Sequence, residues 1–119
     1  MKRAAFLKTF SLLLGLGALA PAWAYDSGDF FRAILQDNDG AMRRILEDGF
    51  DPNTKNEKGV PGLYMALQDG SMKVVKVLLQ SRRLKGEQRN ASDESPLMMA
   101  ALKGQLDVAQ ALIDKDADV

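Results

Sequence analysis

The side chains able to do chemistry in this chain are carboxylates, amines and hydroxyls, because it contains neither cysteine nor histidine. Without cysteine there is no disulfide, no thiolate zinc site and no thiol nucleophile. Without histidine the commonest general base and the commonest metal ligand are missing. Two charged clusters remain. Asp37, Asp39, Glu47, Asp48 and Asp51 form an acidic run. A calcium loop would need oxygen ligands at alternating positions, closed by a glutamate in fixed register; Met42 to Leu46 reads as helix instead, and acids favoured at a helix start account for the run. Arg82, Arg83, Lys85 and Arg89 put four basic residues within eight. That pattern suits a solvated loop, or contact with an acidic patch or a phosphate-bearing ligand. No Gly-rich phosphate loop, nucleophile elbow or dinucleotide fingerprint occurs. The sequence therefore predicts no enzyme, no cofactor and no metal.

The elements that position these residues begin after an address. Lys2, Arg3 and Lys8 precede an apolar stretch from Thr9 to Ala20, followed by Pro21 and the small-x-small run Ala22-Trp23-Ala24. This is the layout of a secretory signal peptide over residues 1–24, with cleavage between Ala24 and Tyr25. The apolar stretch is shorter than the roughly 20 residues of a membrane span; whether it is removed or kept as an anchor stays open. Residues 25–119 carry 13 basic and 16 acidic side chains, a net of about −3, which is an ordinary soluble surface. The expected location is extracytoplasmic, in the periplasm, with no nucleic-acid partner and no stable span after cleavage.

The remainder repeats. Leu63-Tyr64-Met65-Ala66-Leu67-Gln68-Asp69-Gly70, continuing to Val74, Leu78 and Leu79, aligns without a gap on Leu97-Met98-Met99-Ala100-Ala101-Leu102-Lys103-Gly104, continuing to Val108, Leu112 and Ile113. An earlier copy holds Phe30, Ala33, Asp37, Ala41, Ile45 and Leu46, closing on Gly49-Phe50-Asp51-Pro52-Asn53. Each copy reads as helix, tight turn, helix. Ser95 is placed to cap a helix, Pro96 suits its first turn and Gly104 its left-handed end. Met72, Val74, Val75, Leu78 and Leu79, like Leu106, Val108, Ala109, Leu112 and Ile113, lie at helical spacing on one stripe. So short a helix pair cannot bury its apolar face alone; stacking on a neighbour does, which is why such units come in arrays.

These copies resemble the ankyrin-repeat family, whose unit of about 33 residues opens on Thr-Pro-Leu-His and closes on Gly-Ala-Asp-Val-Asn. Ser95-Pro96-Leu97-Met98-x-Ala100-Ala101-x-x-Gly104 matches the opening apart from the histidine, and Asp116-Ala117-Asp118-Val119 matches the close with Asp116 in place of glycine. The resemblance implies an all-α helix-turn-helix solenoid of about three repeats with short turn fingers, over residues near 29–55, 56–89 and 90–119. It implies a protein-binding module, an adaptor or inhibitor of an extracytoplasmic protein, with contacts on the fingers and first-helix ends: Glu57, Lys58, Val60, Gln68 and Asp69 in the middle repeat, Ala91, Ser92, Glu94, Leu102 and Lys103 in the last. Tyr64, Met65, Met98 and Met99 fall near this face. The alternatives are a self-associating structural module, using the C-terminal repeat, and an N-terminal fragment of a longer array.

Departures from the family pattern carry their own expectations. The positions that would link neighbouring turns by Thr and His hold Pro61 and Tyr64, then Ser95 and Met98, so that network should be lost in the middle repeat and weakened in the last. Pro61-Gly62 should give a poor cap and a flexible first turn. Residues 82 to 94 should form an irregular finger. The first copy suits an N-terminal cap, and Leu106, Ala109 and Ile113 should leave an apolar side open at the other end.

Overall fold

The computed structural model describes residues 25–116; the signal peptide expected over residues 1–24 and the last three residues of the expected close lie outside it. The described residues form six helices and no strand: α1 Ser27–Leu35, α2 Asp39–Glu47, α3 Gly62–Asp69, α4 Met72–Gln80, α5 Pro96–Leu102 and α6 Leu106–Lys115. They pair as α1/α2, α3/α4 and α5/α6. The first helices α1, α3 and α5 stack in one row, and α2 packs on α4 in a second. The expected all-α repeat architecture is what the chain adopts.

Local sequence explains each start and stop. Asp26 and Asp29 cap α1 reciprocally: the Asp29 amide donates to Asp26 Oδ1 at 2.9 Å and the Asp26 amide to Asp29 Oδ2 at 3.0 Å. Asn38 Oδ1 accepts from the Ala41 amide at 3.0 Å to start α2. Ser95 Oγ accepts from the Met98 amide at 3.2 Å, with Pro96 in the first turn of α5, as its sequence predicts. The first helices of the three repeats each end on a left-handed residue, Asp37 (φ 49°), Gly70 (φ 73°) and Gly104 (φ 70°). Two of these are glycine; the aspartate has a task of its own, described below.

One core runs through all three pairs, from Phe30, Ile34 and Met42 through Leu63, Leu67, Val75 and Leu78 to Leu112, all essentially inaccessible. Phe30 anchors its N-terminal end, stacked edge-on to Phe31 (5.0 Å between centroids) and tilted against Phe50 (5.3 Å). Gly62 belongs to this packing. Pro61 provides no side-chain cap, as expected, but the first turn of α3 is not slack: Gly62 is buried, and a Cβ there would stand 2.5 Å from Phe30 Cε2. Glycine is needed because α1 and α3 approach so closely through the phenyl ring.

The expected irregular finger is corrected in part. Asn56 Oδ1 accepts from the amides of Lys58 and Val60 at 2.9 and 3.0 Å; Asn90 Oδ1 accepts from those of Ser92 and Glu94, both at 2.9 Å. Each finger closes through a backbone bond of 3.0 Å, Asn56 to Val60 and Asn90 to Glu94. The two fingers are therefore built alike, because an asparagine at the same register folds both. Irregularity is confined to the connection of residues 82–87, where Leu84 turns into the core and Gly86 lies against Asp116.

Candidate protein-binding surface

Each finger leads into a first helix, so one surface runs from the finger tips to the far helix ends, about 12 Å along an eight-residue helix. Glu57 and Lys58 occupy the tip of the first finger, Ala91 and Ser92 that of the second, and all four side chains are exposed. Gln68, Asp69, Leu102 and Lys103 are exposed at the ends of α3 and α5. The structure thus brings eight of the expected contact residues to solvent on two neighbouring repeats.

The other two do different work. Val60 is half-buried and packs against the core. Glu94 Oε1 accepts from Asn90 Nδ2 at 2.9 Å and from the Tyr64 hydroxyl at 3.3 Å, so this carboxylate ties α3 to the next finger. That bond also corrects the expectation of a lost network: Tyr64, in place of the family histidine, reaches across the repeat boundary with its hydroxyl. Burial, then the negative Glu94, push the Tyr64 phenol above its ordinary 10.0. Of the four residues near the face, Tyr64 and Met99 are buried and Met65 is half-buried, while Met98 is 48% exposed.

Sequence reasoning missed Leu35. It is 68% exposed at the end of α1, at the same register as Gln68 on α3 and Leu102 on α5, the latter 78% exposed. Neighbouring packed helices lie roughly 8–10 Å apart, so the surface carries an apolar–polar–apolar row across all three repeats. Counting one repeat length back from Gln68 would have found it.

The basic cluster is dispersed by the fold. Arg83 donates to the carbonyls of Phe50 (3.0 Å), Leu46 (3.3 Å) and Gly49 (3.3 Å), closing the C-terminal end of α2 from the next repeat. Arg89 pairs with Glu87 at 2.9 Å and its guanidinium lies 3.7 Å from Asp93. In the acidic run, Asp37 Oδ1 accepts from the Val74 amide at 3.0 Å and Asp48 Oδ2 from the Tyr25 hydroxyl at 2.7 Å. Burial first, then this hydrogen bond, push the Tyr25 phenol up to about 12. Among the described residues no group of three or more acidic, histidine or cysteine side chains is placed to hold a metal ion, and no helix is long and apolar enough to cross a membrane.

Comparison with known proteins agrees with this geometry. The family model for ankyrin repeats (three copies) matches residues 30–119. Ankyrin repeat and SAM domain-containing protein 6 of Danio rerio is 41% identical over 68 residues, covering 57% of this chain and 9% of that protein. Alpha-latrocrustotoxin-Lt1a of Latrodectus tredecimguttatus is 32% identical over 87 residues, 73% of this chain and 6% of the toxin. Neurogenic locus notch homolog protein 4 of Homo sapiens is 35% identical over 78 residues, 66% of this chain and 4% of its own length. The chain thus spans less than a tenth of each of these relatives. Repeat register, helix pairing, fingers and matched positions converge: this chain belongs to the ankyrin-repeat family.

Proposed function

We propose that this chain is an exported adaptor or inhibitor that binds one extracytoplasmic protein through its fingers and first-helix ends, without catalysis. Ankyrin repeats generally mediate protein–protein interaction and are typically non-enzymatic; the export, the compartment and the particular face are our reading. The observation that carries it is the exposed row Leu35, Gln68, Leu102, flanked by the charged Asp69 and Lys103 and continued by the tips at Glu57, Lys58, Ala91 and Ser92. Large apolar side chains held in solvent on rigid helices favour a partner surface, because covering them releases water at about 25 cal/mol per Å². The residues before Tyr25 supply the reason for an extracytoplasmic partner.

Photo-cross-linking in the producing cells tests this. A cross-linker at Gln68 or Lys103 should give one dominant adduct, whereas one at Lys76, on the outer side of α4, should give none. Reversing the charges of Lys58, Asp69 and Lys103 together should remove the adduct; its persistence would rule out this face. The N-terminus of the periplasmic protein should begin at Tyr25, and recovery of unprocessed chain in the cytoplasm alone would rule out export.

A further inference from the structure

We propose that the outer side of α2 and α4 docks the protein onto an anionic phospholipid surface through a square of four cations, Arg43, Arg44, Lys73 and Lys76. All four side chains are exposed. The two helices pack side by side in the second row, and one repeat length places Arg43 beside Lys76 and Gly40 beside Lys73. Packed helices lie roughly 8–10 Å apart, and Lys73 and Lys76 are separated by about 4.5 Å along their helix. Arg44 fills the fourth corner. A Cβ built on Gly40 would stand 3.7 Å from Arg44 Nη1, so the guanidinium lies back over the glycine.

The neighbouring acids leave most of this charge uncompensated. Among the described residues no carboxylate forms an ion pair with Arg44, Lys73 or Lys76. Arg43 meets Asp39 at 3.8 Å with both side chains exposed, where such a pair contributes little. Asp37 is turned onto the Val74 amide. The next row, Glu47, Gln80 and Asp114, holds no cation, and on α6 Asp107 and Gln110 stand where α4 has Lys73 and Lys76. The basic field therefore ends within the first two repeats, and an anionic surface repels the third.

The occupant follows from the kind of contact the square can make. A protein interface is centred on a buried aromatic or apolar anchor, and among the described residues the exposed large apolar side chains, Leu35, Met98, Leu102, Leu106 and Ile113, all lie on other helices. A single phosphate needs donors that converge on one point, whereas these cations are spread over two helices. A plane of anionic headgroups meets all four at once, and each adds its own attraction. Docked in this way, the first row of helices stays free for a protein partner. Export, proposed above, decides only which membrane is met.

The test measures how much more strongly the full chain partitions onto vesicles in which about one lipid in three is phosphatidylglycerol than onto pure phosphatidylcholine vesicles. Any binding through residues 1–24 is common to all variants, so this ratio is compared between them. Arg43→Gln, Lys73→Gln and Lys76→Gln should each lower it about fivefold, while Lys73→Arg with Lys76→Arg should preserve it. Asp107→Lys with Asp114→Lys should raise it, by drawing the third repeat to the surface. Lys58→Gln removes an exposed cation from a finger and should leave the ratio unchanged, which separates this side from the finger surface. Ratios unaltered by the three glutamine variants overturn the proposal. So does an equal loss with Lys58→Gln, which makes net charge the cause, and so does a protein adduct captured at Lys76 in cells, which makes a protein the occupant.

Discussion

The two repeat boundaries share a fold and differ in how they are tied. Between the first and second repeats, Ser71 Oγ donates to the Ile34 carbonyl at 2.6 Å while Asp37 accepts from the Val74 amide, so each repeat completes a helix end of the other. Arg83 closes α2 from the second repeat, and Asn53 bonds back to the Arg83 carbonyl (2.9 Å) and the Lys85 amide (2.8 Å). Between the second and third repeats the corresponding positions are Gly70 and Gln105, neither of which caps α6, and Glu87 stands near the end of the connection where Asn53 stands one repeat earlier. That boundary is held by Tyr64 to Glu94 and by Lys115 to the end of α4. In an array, stability is a sum of repeat and nearest-neighbour terms, so two nearly identical units can differ in persistence through their boundary chemistry alone.

Removing the ring that seats Gly62 should break the comparison most severely. Phe30→Ala should cost about 3–5 kcal/mol, measured by urea denaturation, and should bring the first boundary below the second. Gly62→Ala, which forces a methyl group into that ring, should cost about 1–3 kcal/mol; an unchanged midpoint would mean that α1 and α3 can part without penalty. Asp37→Gly keeps the left-handed backbone and deletes only the cross-repeat cap, for an expected loss of about 1 kcal/mol. Its mirror, Gly70→Asp, should offer the Val108 amide the same carboxylate and raise hydrogen-exchange protection in α6. Tyr64→Phe acts on the weaker boundary and should cost at most about 1 kcal/mol, because its 3.3 Å bond is long and Glu94 keeps Asn90. The smallest effect is confined to alkaline solution. Tyr25 holds its proton up to about 12 when folded, against 10.0 ordinarily, so its contribution is complete below pH 10 and is lost as the pH rises through about 12. Tyr25→Phe should flatten that part of the stability profile; an unaltered profile would show the phenol titrating alike in folded and unfolded chains.

Much of this was legible in the sequence. The helix pairs, the cap at Ser95, the left-handed Gly104 and the open Leu106 and Ile113 follow from spacing and residue type, and most of the exposed face from the resemblance to the ankyrin family. What escaped was relational. Nothing local marks Asp37 as the cap of a helix whose first residue, Met72, lies 35 positions on, and Arg83 reads as surface charge until the bare carbonyls of α2 are beside it. Gly62 looks permissive alone and becomes obligatory only against Phe30. Asn56 and Asn90 were legible in principle, since the same residue recurs at the repeat interval, but the poor match of the connection before the second finger obscured the register. Glu94 and Val60 were assigned to the surface by position, although their side chains are used for packing and for joining repeats.

The exchange between Asp37 and Ser71 also bears on how such an array can be rearranged. A repeat is usually pictured as a unit that can be copied, deleted or transplanted whole. Here α4 starts on a carboxylate supplied by the unit before it, and α1 ends on a hydroxyl supplied by the unit after it. A cut between the first two repeats therefore leaves a helix end bare in each, and a cut after the second takes the Lys115 ammonium from the last carbonyls of α4. A duplication of the second repeat alone would set Gly70 where that carboxylate is required, so recombination within this array is constrained by borrowed atoms rather than by repeat length.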